Sequence, residues 1–434
     1  MMERKTLQKT PIVFLEDAMS YPTLEKLFYA DSSSDRFATH EQRCQARLQN
    51  ESTFRTGIQL EHGELFLAVP RELSHATERT LRRERRVSAL WRALPPIALG
   101  AYIRALILDE VVYSNEMEGV HSTRREIEIA LDRAQASART REAGRKTAHT
   151  PFVEMARLYL NLTDDAAAPS TLEDIRAIYD SVVADAIDPA DLPGTTLFRT
   201  GQVVIEDERG RTIHRGVTPE SEIERMMTQW LELARDEEMP ELYSALLCHF
   251  LFGYIHPFYD GNGRTGRYLL ALHLSSPLSQ PTVLSLSRVI AENKAAYYKA
   301  FDVTERRLNH AEGTHFVLSM LDLVESAQEQ LIADLEEKRC ALDTLNERLN
   351  MLEGKLSSRE CSTLYYAAQM QLYSAFQETK LADLTSYLGV STPTARKALA
   401  SLSDAHGFME RVSQRPPIYK LTQKGLEELG LAGV

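Results

Sequence analysis

Twelve consecutive residues, His256-Pro257-Phe258-Tyr259-Asp260-Gly261-Asn262-Gly263-Arg264-Thr265-Gly266-Arg267, hold a base, a carboxylate, three glycines and two guanidinium groups. Pro257 ends the apolar helix before it and leaves His256 at a terminus, where an imidazole can face a cavity. Gly261 and Gly263 let backbone N–H groups approach an anion, and the helix that follows aims the positive end of its dipole at the same place. Arg264 and Arg267, three residues apart, share a helix face and can each fork onto phosphate oxygens. Asp260 is a hard oxygen ligand of the kind Mg²⁺ takes together with substrate phosphates. Phosphoryl or nucleotidyl transfer asks for little more, since positioning and charge stabilisation supply most of its catalysis. Singly, each residue has a plainer reading: a capping histidine, an Asp260 that caps the next helix, an Arg264 in a surface ion pair. Their conjunction at one helix–loop–helix junction selects the chemistry.

These groups need elements to position them. The pattern predicts helices over 240–255 and 263–273 on either side of the loop, and further helices over 101–138 (broken at Gly119), 151–162, 172–185, 219–235 and 289–301. Between Gly201 and Gly216 a β-branched run, a polar turn carrying Gly210 and a short strand with Ile213 read as a hairpin. An isolated hairpin is marginally stable, so something must support or use it. Ser114 and Glu118 stand four apart on one helix face, and Gly119 can end that helix. Residues 1–100 read as irregular, with an apolar stretch at 64–69 and an arginine-rich helix at 79–91. There Arg82, Arg83, Arg85 and Arg86 interleave with Glu78 and Glu84 as on a solvated face.

The loop resembles, without a departure, the HPFx(D/E)GN(G/K)RxxR signature of the Fic (filamentation induced by cAMP) family, and the likeness extends over about residues 101–325. The resemblance implies a protein adenylyltransferase that uses ATP and Mg²⁺ to attach AMP to Ser, Thr or Tyr of a target protein, the chain itself included. It implies that His256 deprotonates the target hydroxyl and Asp260 holds Mg²⁺. The Gly261–Gly263 backbone with Asn262 would bind the α- and β-phosphates, Arg264 and Arg267 the β/γ end, and Thr265 and Gly266 would complete the ATP-binding motif. Gly263, where the family's other variant has lysine, favours AMP transfer over kinase-like phosphate transfer. Tyr297 and Tyr298 match a pair that lines the adenine pocket, although two tyrosines on a helix are more often core. The hairpin, with Val203, Val204 and Ile205, would be a flap that pairs with the target's backbone as an added strand. The segment from His214 to Pro219 departs from the proline-rich stretch common there. Ser114-Asn115-Glu116-Met117-Glu118-Gly119 resembles the family's inhibitory motif, (S/T)xxxE(G/N), in which Glu118 would pair with Arg267 and keep the γ-phosphate out of its productive pose. Relatives also use that glutamate to position water and remove AMP, so a reverse activity is implied too. For so short a pattern, an ordinary helix-end glutamate is the commoner case.

Residues 358–434 place two amphipathic helices around Gly389, with Ser391 or Thr392 as N-cap, ahead of a hairpin pattern near Arg415, and so resemble a winged helix-turn-helix. Arg396 and Lys397 fall where a recognition helix would meet DNA, and Arg411, Arg415, Lys420 and Lys424 could contact phosphates. Protein contact or dimerisation is an equal alternative. The competing function is a nucleotide-sensing, DNA-binding transcription regulator with little transfer activity; a sensor needs neither base nor metal ligand, so His256 and Asp260 oppose it.

The expected architecture is therefore mainly α: an N-terminal region (1–100), a helical Fic core with a β-hairpin flap (101–325), a helical linker (326–357) and the winged-helix-like module (358–434). Leu331, Leu335, Leu342, Leu345, Leu349 and Leu352, at coiled-coil-like spacing, suggest a homodimer. The net charge of −12 opposes a nucleic-acid role for the molecule as a whole. The four cysteines form no CxxC pair, which signals neither zinc nor a disulfide framework and fits a reducing, cytoplasmic location. No segment approaches the ~20 apolar residues that span a bilayer, so no membrane association is expected.

Overall fold

The computed structural model describes residues 21–139, 150–162, 167–184, 186–206, 210 and 212–433. These fall into two units: residues 1–84 with 109–327, and residues 85–108 with 328–434. That division differs from the four-part partition expected above. Residues up to 84 join the unit that holds the site, whereas 85–108 and the segment taken as a linker belong to the C-terminal unit.

The first unit opens with α1 (Leu24–Ala30), α2 (Arg36–Leu48) and an antiparallel hairpin of β1 (Thr53–Leu60) and β2 (Gly63–Ala68). This region is thus ordered where the sequence reads as irregular; Arg55 pairs with Glu64 across the two strands. Helix α3 (Arg71–Arg92) and helix α4 (Pro96–Met117) each contribute to both units. Then come α5 (Arg124–Arg139), α6 (Val153–Leu160), α7 (Leu172–Val183) and the second hairpin, β3 (Val204–Glu206) with β4 (Thr212–Arg215). The rest of the unit is α8 (Glu220–Ala234), α9 (Glu241–Ile255), α10 (Asn262–Leu274), α11 (Gln280–Val283), α12 (Leu286–Glu292), α13 (Lys294–Glu305) and the start of α14 (Thr314–Leu352). Helix α9, ELYSALLCHFLFGYI, is apolar all round, the signature of a helix enclosed on every side, and nearly every residue of it is buried. It forms the spine of the unit, with α10 and α8 packed along it.

In the second unit α14 leads to α15 (Ser358–Tyr373), β5 (Thr379–Lys380), α16 (Leu381–Leu388), α17 (Thr392–Ala400), β6 (Met409–Gln414), β7 (Pro417–Leu421) and α18 (Gln423–Glu428). The three short strands are antiparallel, with β7 between β5 and β6. Gly389 takes φ of +62° to close α16, and Ser391 stands at the N-cap of α17. Arg396 and Lys397 are exposed on α17. Arg411 is folded back onto the carbonyls of Ser413 and Gln414, and Lys424 donates to the His406 carbonyl. The leucines expected to line a dimer seam are all buried in this chain, Leu345 completely. Side chains already buried within one chain supply no argument for a dimer. No helix among the described residues is long and apolar enough to cross a membrane.

Candidate active site

Helix α9 ends at Ile255, and His256 reverses the chain in the left-handed region, φ 53° and ψ 61°, while its N–H still reaches the Phe252 carbonyl at 3.0 Å. A side chain in that region is strained by roughly 1 kcal/mol or more, and the surroundings must hold it. Arg199 does so: its Nε donates to the His256 carbonyl at 2.8 Å and its backbone N–H to that of Pro257 at 3.1 Å. The same fully buried guanidinium donates to the carbonyls of Gly201 (2.6 Å) and Val217 (2.7 Å), the two roots of the β3–β4 hairpin. One side chain thus ties the hairpin to the base. Its partners lie far off in sequence, which is why reading the chain missed it.

The loop that follows is braced from within. The Asn262 carboxamide donates to the Phe258 carbonyl and accepts from the Phe258 N–H, at 2.8 and 2.9 Å. Phe258 stacks on Tyr179 of α7 with ring centres 3.6 Å apart. Gly261 takes φ of +79°, and a Cβ there would collide with Val183 and Ile187. Left-handed Gly261 followed by the first turn of α10 forms a nest of N–H groups with no intrahelical acceptor. Of the residues grouped as ATP-binding, Asn262 can therefore offer only its main chain, since its side chain is occupied. Gly266 packs on Phe252 and its carbonyl lies 3.2 Å from His249 Nδ1, while Thr265 is buried with its hydroxyl unpartnered.

Arg264 and Arg267 differ in state. Arg267 donates from Nε to Ser114 Oγ (3.1 Å), from Nη2 to the Ser114 carbonyl (2.6 Å) and from Nη1 to Glu118 Oε1 (2.9 Å). Burial works against its charge, but Glu118 more than offsets this and holds its pKa above the usual value. Arg264 is completely buried, and none of its three nitrogens has a hydrogen-bond partner among the described residues. Burial lowers its pKa, against the nearby carboxylates of Asp260 and Glu118. A buried unpaired guanidinium costs several kcal/mol, so the site is built for an anion. We expect Arg264→Met to leave the melting temperature of the nucleotide-free protein unchanged or raised. Its ATP affinity should fall roughly tenfold to a hundredfold, the worth of a charge-assisted contact of about 1.5–3 kcal/mol. Calorimetry on both forms checks this, and a lower melting temperature with unchanged affinity would contradict it.

Glu118, just past the end of α4, lies over the nest: a Cβ on Gly263 would run into its carboxylate. Gly119, at φ +72°, ends the helix there, and Lys294 donates to the Met117 carbonyl at 3.3 Å. Two turns earlier on the same face, buried Glu110 accepts from the Ser287 N–H (2.9 Å) and hydroxyl (2.6 Å), anchoring α4 to the start of α12. Burial pushes its pKa up to about 7, opposed by Ser287. The spacing 110, 114, 118 was the available signal for this residue.

His256 is neutral in this setting. Burial lowers its pKa to about 4, assisted by the positive fields of His214 and Arg199. Asp260 is exposed at the lip, with one oxygen 2.6 Å from the Gly261 N–H. No group of three or more His, Cys, Asp or Glu among the described residues is arranged to hold a metal ion. A lone carboxylate beside a phosphate nest still fits Mg²⁺, which takes most of its remaining ligands from phosphates and water. Tyr297 is buried with its hydroxyl 2.8 Å from His249 Nε2, whereas Tyr298 is 45% exposed. Tyr297 is thus enclosed beside His249 and Arg267, and Tyr298 lies at the surface. On the hairpin, Val203 accepts from the Gly216 N–H, Val204 is exposed, and Ile205 turns inward.

With this geometry in place, residues 169–274, the stretch that holds the loop, match the Fic/DOC family and form a Fic/DOC domain. Among curated proteins, the protein adenylyltransferase fic-1 of Caenorhabditis briggsae is 34% identical over 89 residues, 20% of this chain and 17% of its own length. The alignment thus spans about a sixth of that relative. A Fic family protein from Desulfovibrio desulfuricans G20 is similar in structure over 82% of this chain and 97% of its own, at 20% identity and a TM-score of 0.49. Fic-1 from C. elegans is similar over 72% of this chain and 81% of its own, at 18% identity and a TM-score of 0.43.

Proposed function

We propose that the chain transfers AMP from ATP to the hydroxyl of a protein side chain and is held back by Glu118. The observation that carries this reading is the buried, unpartnered Arg264 guanidinium beside a nest of main-chain N–H groups, on the same loop as a neutral imidazole. In the reaction, the target hydroxyl loses its proton to His256 and its oxygen bonds to the α-phosphorus. The bond from that phosphorus to the β-phosphate bridge breaks, and pyrophosphate leaves. The nest and Arg264 take up the charge on the phosphates. Mg²⁺, held by Asp260, would supply charge neutralisation there. The exposed strand β3, with Val203, Val204 and Ile205, would guide the target backbone, and Tyr298 would border the base of the nucleotide. With the nest cleared of ATP, Glu118 would also orient water for AMP removal.

Labelling tests the reading. Label from the α-phosphate of ATP should enter protein, and label from the γ-phosphate should not; γ-label alone would make the chain a kinase. No label from either would favour the nucleotide-sensing regulator, for which the exposed Arg396 and Lys397 of a winged-helix-like module would supply DNA contacts.

A further inference from the structure

His214 is the one residue of β4 that turns inward, between exposed Ile213 and Arg215. Its Nδ1 lies 2.6 Å from Glu305 Oε2, at the last residue of α13, and its Nε2 lies 2.8 Å from the Tyr254 carbonyl oxygen in α9. Both neighbours are acceptors with no hydrogen to give. A neutral imidazole carries a single N–H and satisfies one of them; only the imidazolium donates to both. The other groups bearing on the ring are the Tyr254 phenol, with ring centres 5.4 Å apart, and the positive charge of Arg199, with His256 close by.

We infer that His214, as an imidazolium, is the latch that holds the β3–β4 hairpin on the core beside His256 and so positions the strand edge offered to a protein substrate. The inference rests on the transfer reading above for its consequence, though not for its geometry. A two-stranded hairpin has little stability of its own. Here β3 sends only Ile205 inward, directly across from His214 in the register. Arg199 fastens the roots and His214 the blade. Arg199 keeps its charge at any working pH, whereas His214 titrates. Burial lowers the His214 pKa, but the Glu305 carboxylate and the Tyr254 carbonyl outweigh it and the net shift is upward from 6.5. A group raised on folding contributes fully below its unfolded value, and the contribution is lost as pH rises through the folded one. The latch is therefore closed below that raised value and loosens as pH climbs through it.

The test uses the full chain with ¹⁵N-labelled histidine, and Glu305→Gln beside it. The carboxamide can donate to Nδ1 of a neutral ring, which keeps the latch closed without the proton. In the unaltered chain both ring nitrogens of His214 should be protonated at pH 7 and one should lose its proton as pH rises; in Glu305→Gln the ring should already be neutral at pH 7. With α-labelled ATP and a His256→Ala copy of the chain as acceptor, the acceptor KM should rise roughly twofold to tenfold across the alkaline limb, the worth of one hydrogen bond. ATP affinity should stay level, and Glu305→Gln should flatten the limb. A neutral His214 ring in the unaltered chain at pH 7, or an alkaline limb of the same size in both chains, overturns the latch. If neither chain labels the acceptor, the transfer reading fails, and the ring nitrogens still decide the latch.

Discussion

Glu118→Gly should raise incorporation of α-labelled AMP into protein roughly tenfold to a hundredfold. The carboxylate sits against Gly263 in the mouth of the nest and draws Nη1 of Arg267 toward itself at 2.9 Å, so a triphosphate must displace it before its terminal phosphate can use that arginine. Arg267 is only 2% exposed and Glu118 22%, which places the pair between the exposed and buried regimes, at about 1–3 kcal/mol. Each 1.4 kcal/mol is about a factor of ten in rate. Removing Glu118 does not strand Arg267, which keeps both of its bonds to Ser114, so the variant should fold. ATP binding, measured separately, should tighten or stay level. Labelling that does not change, with ATP bound as before, would mean that this carboxylate is an ordinary helix-end group.

What could be read in the chain, and what could not, follows from how far apart the cooperating residues lie. The loop from His256 to Arg267 was legible because base, nest and both arginines are contiguous, and because glycine at 261 answers a local need: the left-handed turn and the wall of α7 beside it. Glu118 was legible through its four-residue spacing from Ser114. Arg199 was not, since its meaning lies in carbonyls of residues 201, 217 and 256 that only the fold gathers. Asn262 was read only in part: the motif assigns it to the ligand, and the sequence did not show that its carboxamide closes the loop on Phe258. The leucines of α14 are ambiguous for a different reason. A spacing near 3.5 residues serves a seam between two chains and a helix packed within one chain equally well, and here the leucines are buried in the single chain. Residues 53–68 gave a weak strand signal because Gly57 and Gly63 interrupt the alternation, although pairing of β1 with β2 absorbs both.

His256→Ala should lower AMP transfer by about a hundredfold to ten-thousandfold, the range for loss of a positioned general base, with ATP affinity intact. The measurement is best made in the Glu118→Gly background, where the nest is open and chemistry is exposed to view. Two features separate catalysis from support. Nothing in the nest hydrogen-bonds the imidazole, which bonds instead to the Gly253 backbone, and the turn at position 256 is held by main chain: the N–H to Phe252 and the carbonyl to Arg199. Alanine keeps both main-chain bonds and gives up only the ring with its bond to Gly253, so a variant that binds ATP normally but does not transfer has kept the loop and lost the base. The pH profile supplies a second check with a definite sign. The base must be neutral, and burial with two neighbouring cations lowers its pKa to about 4 from the ordinary 6.5. A bound triphosphate pulls that value back up, so the acid limb of transfer should fall between these two figures and lie below that of a solvent-exposed histidine. A limb at or above 6.5 would place the titrating base elsewhere, and transfer within threefold of normal in His256→Ala would remove this imidazole from the chemistry altogether.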